Sequence, residues 1–527
     1  MAADLQPNSH CCDRKRVQYG IYTLLGRRMQ SFKTVYFADY PCPPEGRSGL
    51  TVPFAATELR LFEAVSRLSS HAIRCAIGHQ QFTEVQAAAA RTGTTTSGYV
   101  KERLRTAINP SDLIGDGFDA AVQSTFVGGR GSPLHDWFPY LEGYSPAFVR
   151  TILAAHAPDA IKILDPFCGS GTTALTAASL GLRGTYCEVN PVCRQIIEAK
   201  ANALRLPSSA KHRVAENLER LAETLAGQVD LSLPAAELRD AFGRAFGVRP
   251  FFSDDIFSEV LGLRTLLDGV RQDDTLLAEL AEVAVLGCLV QNSLLVRRGD
   301  LRFRTEAELR RSKPNLLGDV VRRLRMIASD LLDVENVSGV VELATPDIRD
   351  LDPDRHGRFD AIVTSPPYLN GTNYFRNTKI ELWFARHLRG KADLRSFRDA
   401  AITSGINDVT NSKTSARSLP SSARLKRTLG SLEASAYDQR IPKMVASYFA
   451  EMDEAAACLH RVSSPGTCVA IDLGDSCYGD VHVATDIILR EFMIQRGFDF
   501  LDEVVLRERA SRSGRGLRQT LQIFKAS

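Results

Sequence analysis

The chain has 527 residues, of which 44% are apolar and 24% charged, and a formal net charge of +3. That length implies two to four modules with ample material for a buried core. No run of eighteen apolar residues occurs, which excludes a membrane-spanning helix, and so small a charge excess leaves any nucleic-acid surface to local patches. The N-terminal MAADLQPNSHCCDRKR is polar and has no apolar signal region, which argues for a cytoplasmic protein without a membrane partner. The eleven cysteines show no CxxC pair. His10, Cys11 and Cys12 adjoin but have no further ligands at loop spacing, so free thiols and no metal are expected.

Residues 1–120 form an N-terminal region of no assigned role. A strand is expected at 34–37 and a helix at 55–71, where Leu59, Phe62, Val65 and Leu68 recur near helical spacing. The pattern then becomes α/β. Residues 161–165 read as a strand, 172–182 as a helix, 184–189 as a strand and 192–204 as a helix. Residues 205–335 read as almost all helix, with long periodic stretches at 257–270, 276–295 and 316–332. The strand–helix rhythm resumes with strands at 340–343 and 360–364 and a helix near 378–388. It ends with a helix at 443–459, a strand at 466–473, a helix at 484–495 and two strands at 502–507 and 517–524. One α/β domain carrying a helical insertion accounts for this order: first part 121–204, insertion 205–335, second part 336–527 with a basic loop at 387–440.

Two segments carry chemistry. DPFCGSGTT (165–173) lies where a strand turns into a helix. Gly169 and Gly171 let the backbone approach a ligand without Cβ obstruction, and the helix start supplies unpaired N–H groups. Glu188, at the end of the next strand, is placed to accept hydrogen bonds from ribose hydroxyls. FDAIVTSPPYLNGTNYFRN (359–377) is a strand ending in a loop stiffened by Pro366 and Pro367. An exocyclic amine on a nucleobase is a poor nucleophile, because its lone pair is delocalised into the ring. Acceptors placed on its hydrogens turn that lone pair towards an electrophile. The Ser365 hydroxyl and the Pro366 carbonyl offer such acceptors, and Tyr368 offers an aromatic face for an extruded base.

The segment DPFCGSGTTALTAASLGLRGTYCEVNP resembles motifs I and II of the amino-group DNA methyltransferases, and TSPPY resembles their motif IV. The resemblance covers roughly 130–200 and 340–525. It implies a Rossmann-like class I methyltransferase fold with a mostly parallel seven-stranded sheet, a helical insertion and an N-terminal extension. It implies S-adenosylmethionine as cofactor, with Asp165, Phe167, Gly169, Gly171 and Thr172 around its methionine part and Glu188, where the family often has Asp, on its ribose. GSPLHDWFPYLEGYSP (131–146) resembles motif X, which packs over the methionine end; His135, Trp137, Phe138, Tyr140 and Ser145 are its candidates. Asp347 resembles the motif III acid that contacts the cofactor's adenine. Ser365, Pro366, Pro367 and Tyr368 are the catalytic candidates. In the family SPPY goes mainly with the N4 amine of cytosine and D/N-PPY with N6 of adenine.

The expected function is therefore site-specific, base-flipping N4-cytosine methylation of double-stranded DNA, as in restriction-modification, with a cognate nuclease or defence-system subunits as candidate partners. The alternatives are an N6-adenine DNA methyltransferase, an RNA amino-methyltransferase, and a non-catalytic nucleic-acid-binding protein. The motif order, cofactor loop before catalytic loop, departs from the permuted order common among SPPY enzymes, which bears on subclass and on the place of target recognition. Asp472 and Asp475, in SSPGTCVAIDLGDSCYGD, end a later strand where α/β ligand sites lie. Basic stretches at 297–313, 387–430 and 507–518 are candidates for phosphate contacts. The insertion is of the best size for target recognition.

Overall fold

The computed structural model describes residues 120–527 apart from 228–230, 232–233, 299, 335, 370–373, 410–420 and 512–513. The strand expected at 34–37, the helix expected at 55–71 and the His10–Cys12 group lie outside the described residues.

A mixed sheet organises this part of the chain. Strands β1 (Lys162–Asp165), β2 (Arg183–Cys187), β5 (Val340–Thr345), β6 (Phe359–Thr364), β7 (Ser463–Gly474), β10 (Phe498–Ala510) and β11 (Gly516–Ala526) lie in the order β10-β11-β7-β6-β1-β2-β5. Six run in one direction, and β11 alone is reversed, pairing antiparallel with both β7 and β10. Two antiparallel hairpins stand apart from it: β3 (Leu295–Arg298) with β4 (Asp300–Phe303), and β8 (Ser476–Tyr478) with β9 (Val481–Val483). The mostly parallel sheet is consistent with a methyltransferase fold. β1 and β6 are almost wholly buried, as parallel strands covered on both faces must be.

The helices begin where the sequence supplies caps. Ser145 accepts the Phe148 N–H at the start of α1 (Pro146–His156) and Asn190 accepts the Val192 N–H at α3 (Pro191–Arg205); each has proline at its first position. α2 (Thr172–Ser179) follows β1. The insertion contributes α4 (Ser208–Ala226), α5 (Ala236–Phe246), α6 (Asp254–Asp273), α7 (Thr275–Leu289) and α8 (Leu316–Asp333). It is less uniformly helical than the sequence suggests, because β3 and β4 interrupt it. After β6 come α9 (Lys379–Phe384), α10 (Lys391–Ala400), α11 (Ala423–Ser435), α12 (Arg440–Arg461) and α13 (Thr485–Gln495). The segment 387–440, expected as a loop, thus carries two helices, whose few apolar residues (Leu425, Leu429 and Leu432 in α11) are too sparse to register as a long periodic pattern.

The insertion is not a separate domain. Its helices share one core with α2, α3 and residues 375–388, whereas α11–α13 form a second core containing Ile362 and Ile471. Trp383 of α9 is fully buried, stacks near Phe257 of α6, and donates its indole N–H to the Leu238 carbonyl of α5 at 2.9 Å. A buried ion cluster adds to the joint. Arg264 meets Glu282 at 2.7 Å, and Asp268 pairs with both Arg264 and Arg386. No helix among the described residues is long and apolar enough to cross a membrane.

Candidate active site

Chain order along the sheet reverses at β1, which has β2 on one side and β6 on the other. In open α/β sheets ligands bind outside the carboxyl ends of strands at such a switch point. Asp165 ends β1, Glu188 follows β2 and Ser365 follows β6, so the topology brings both sequence segments to one place. They touch directly: the Thr364 hydroxyl donates to Asp165 Oδ1 at 2.7 Å.

Asp165 is buried, which raises its carboxyl's pKa against the opposing pull of several hydrogen bonds. Its Oδ1 also accepts the Phe167 N–H at 3.1 Å, and its Oδ2 accepts the Tyr144 hydroxyl at 3.2 Å. The Tyr144 oxygen lies 2.6 Å from Thr173 Oγ1 as well. This carboxylate therefore shapes the loop by joining β1, α2 and β6 to Tyr144.

The glycines follow from local geometry. Gly169 has φ +55°, and a Cβ on it would lie 2.7 Å from the Tyr140 ring. Gly171 has φ +97°, and a Cβ there would lie 2.8 Å from Ile197 of α3. Thr172 is buried at the first position of α2. Beneath the turn, the buried Lys200 ammonium donates to the Ser170 carbonyl at 3.3 Å, and burial pulls its pKa down to about 7.

Glu188 reaches back across this turn. One carboxylate oxygen accepts the Gly169 N–H at 2.7 Å and the other accepts the Asn190 N–H at 2.8 Å. Arg194 holds the Glu188 backbone carbonyl at 2.7 Å. Burial outweighs these bonds and pushes the carboxyl up to about 7.

The segment 131–146 divides. His135 stacks on Phe126, its Nε2 lies 3.0 Å from the Phe126 carbonyl, and burial drops its pKa to about 4, so it is neutral near pH 7. Trp137 is fully buried and donates to Asp330 of α8 at 2.8 Å. Phe138 is buried in the same core, and Ser145 caps α1. Tyr140 and Tyr144 are the side chains of this segment that meet the glycine turn and Asp165. Asp347 forms an ion pair with Arg349 and accepts its backbone N–H. Phe167 lines a small apolar cavity with Thr364, Pro366, Met452 and Ile471.

The TSPPY loop is fixed at several points. The Tyr368 N–H donates to the Tyr374 hydroxyl at 3.3 Å. The Tyr368 phenol oxygen accepts from Gln519 Nε2 of β11 at 3.1 Å, and the same nitrogen donates to both oxygens of Asp472. Arg507 of β10 orients Gln519 through its amide oxygen at 2.9 Å. Burial pushes Asp472 up to about 6. The Leu369 carbonyl accepts from the Tyr478 hydroxyl at 2.8 Å and from the Ser476 hydroxyl. The Ser365 hydroxyl interacts with the Tyr368 phenol. Among the described residues nothing donates to the Pro366 carbonyl.

Known proteins can now be compared. The chain is similar to Type II methyltransferases. It is 22% identical over 414 residues to "Type II methyltransferase M.AvaI" of Nostoc sp. and equally to that of Anabaena variabilis, covering 72% of this chain and 82% of each relative. It is 22% identical over 323 residues to "Type II methyltransferase M.BsoBI" of Geobacillus stearothermophilus, covering 55% of this chain and 59% of that one. No family model and no solved structure matches.

Asp475, just after β7, is buried, and its Oδ2 lies 2.9 Å from His482 Nε2. Tyr144, Tyr374 and Gln519 carry no site signal in the sequence, and Arg507 stands out there only as the start of a basic stretch. Gln519 shares β11 with Arg518, Thr520, Gln522 and Lys525, so nothing in that strand's sequence marks it. Several arginines in and near the basic stretches are neutralised internally. Arg297 pairs with Glu381 at 2.6 Å, Arg302 with Glu308, Arg424 with Glu491, Arg440 with Asp438, and Arg518 with Asp486. Among the described residues no group of three or more His, Cys, Asp or Glu could hold a metal ion.

Proposed function

We propose that this chain is an S-adenosylmethionine-dependent DNA methyltransferase that modifies the exocyclic N4 amine of cytosine, on a Rossmann-like class I fold. The carrying observation is the 2.7 Å hydrogen bond from Thr364 to Asp165, which locks the amine-orienting loop against the glycine turn at the sheet's switch point. The similarity to Type II methyltransferases supports DNA as the substrate.

The residues suit the cofactor. The turn at Gly169–Gly171 is a left-handed glycine backbone packed against Tyr140 and Ile197, and Glu188 presents beside it a carboxylate held by two backbone N–H groups. Glu188 would take the ribose hydroxyls. Phe167, Gly169, Gly171 and Thr172 would surround the methionine part, with Asp165 shaping the turn. Asp347 would meet the adenine, and His135 and Trp137, packed against Phe126 and Asp330, would act by holding the segment that carries Tyr140 and Tyr144. When bound, S-adenosylmethionine supplies an electrophilic methyl on a sulfonium.

The remaining work falls to the loop. Tyr368, pinned by Gln519 and Tyr374, stacks on the extruded cytosine. Ser365 and the Pro366 carbonyl accept from the two amine hydrogens, so the nitrogen lone pair leaves the ring plane. Pro366 and Pro367 hold those acceptors without reorganisation as positive charge develops on nitrogen. The N–C bond forms as the methyl–sulfur bond breaks, and the surplus proton leaves the amine for water. No enzyme nucleophile takes part, consistent with buried thiols at Cys168, Cys187 and Cys193 whose pKa values burial raises.

The test is methylation of unmodified DNA with labelled cofactor, followed by mass analysis of the nucleosides. N4-methylcytosine is expected. Ser365→Ala and Tyr368→Ala should each lower kcat by about 100-fold or more, the scale of removing one transition-state-directed group, with cofactor affinity nearly unchanged. N6-methyladenine would move the target, and full activity in both variants would remove the assignment.

A further inference from the structure

Outside the flagged basic stretches, two cations are held on aromatic faces, one close in sequence to the TSPPY loop and one on the hairpin fastened to the segment after it. Arg249 follows α5 on an exposed turn, and its guanidinium sits 3.7 Å from the ring centre of Phe303 on β4. Lys379 opens α9, with its ammonium 4.4 Å from the Phe251 ring centre and 5.7 Å from that of Phe246. No ion pair among the described residues involves either side chain. The charged groups acting on Lys379 are two further cations, Arg376 and Arg249; with burial as the larger cause, they lower its pKa to about 8.

Aromatic faces hold cationic heads in place without cancelling their charge. Like charges gathered in this way repel one another and are relieved by an external anion. The group also stands at a telling position. Lys379 and Arg376 follow Tyr374, whose hydroxyl takes the Tyr368 N–H, and Phe303 belongs to the hairpin that Arg297 fastens to the Asn377 carbonyl at 2.7 Å. The chain segment carrying Arg376 and Lys379 is thus fastened directly to the loop that carries Tyr368.

We propose that Arg249 and Lys379, with Arg376 beside them, form a phosphate-gripping patch for the DNA backbone next to the target base. This rests on the DNA methyltransferase reading above. Such contacts give affinity without sequence preference, and each contributes about 0.9 to the slope of log K against log salt.

The measurement is fluorescence anisotropy of a labelled random-sequence duplex, titrated with the full chain plus S-adenosylhomocysteine over a range of salt. The variant Arg249→Gln/Lys379→Gln should flatten the slope by about two units and weaken binding roughly 60-fold at ~0.1 M salt, given an unchanged 1 M intercept. Each single variant should lose about one unit, and the charge-keeping Arg249→Lys/Lys379→Arg should restore the wild-type slope. An unchanged slope in the neutral variants, with S-adenosylhomocysteine binding intact, overturns the patch. A wild-type chain that methylates no DNA instead overturns the functional reading, and the two failures are told apart on the same preparations.

Discussion

Lowering the pH from about 8 to about 6 should weaken cofactor binding roughly tenfold through one carboxyl group. Glu188 titrates near pH 7 in the folded chain because burial outweighs its bonds to the Gly169 and Asn190 N–H groups. In the proposed assignment ribose hydroxyls bind the ionised form, so the dissociation constant scales with one plus the ratio of protonated to ionised carboxyl. That factor is about 1.1 at pH 8 and about 11 at pH 6. Stability runs in the opposite sense. A carboxyl raised from its ordinary 4.5 to about 7 contributes stability below pH 4.5 that is lost as pH rises through 7. The loss is about 3 kcal/mol at most. The cofactor should therefore raise the melting temperature more at pH 8 than at pH 6. Calorimetric titration with S-adenosylhomocysteine measures the affinities, beside Glu188→Gln, which should bind weakly and without this pH slope. Lys200 titrates over the same range. A slope that survives in Glu188→Gln would assign the dependence elsewhere and refute the reasoning, as would a flat wild-type profile.

Two further outcomes follow from the same geometry. Gly171→Ala forces a side chain to adopt φ +97° and drives a Cβ to 2.8 Å from Ile197. Left-handed strain and overpacking together should cost roughly 2–4 kcal/mol in a denaturant titration; a cost below about 0.5 kcal/mol would mean that α2 and α3 separate easily. Tyr374→Phe deletes the acceptor of the Tyr368 N–H. It should lower kcat about fivefold, the worth of one neutral hydrogen bond, while leaving the cofactor dissociation constant alone; equal losses in both would show a general disturbance of the fold.

What could be read from sequence was local. A strand, two glycines and a helix start within nine residues suffice to announce the turn at Gly169–Gly171, and the strand before TSPPY is continuous in the chain. The partners that fix these loops are distant. Gln519 lies 151 positions from Tyr368, and Thr364 lies 199 from Asp165. Only folding reveals those pairings. Charge pairing is hidden for the same reason. Arg297 stands in a conspicuously basic run, yet its carboxylate partner Glu381 comes 84 residues later. Arg249 and Lys379 sit in unremarkable sequence, and the tertiary fold gathers them.

The distribution of satisfied atoms also bears on why residue 365 is serine. The Tyr368 phenol interacts with both Ser365 and Asp472, so residue 365 and Asp472 flank a single oxygen. Asp472 is buried and already raised to about 6, which leaves it mostly ionised near pH 7. A carboxylate at 365 would place a second negative charge across that phenol, and two carboxylates so close do not both stay ionised. One would carry a proton and lose acceptor strength, or the loop would move off its anchors at Tyr374, Ser476 and Tyr478. A neutral hydroxyl avoids the conflict and keeps an acceptor on the amine. The pocket thus has its own electrostatic reason for SPPY over DPPY, which stands apart from any family association with cytosine.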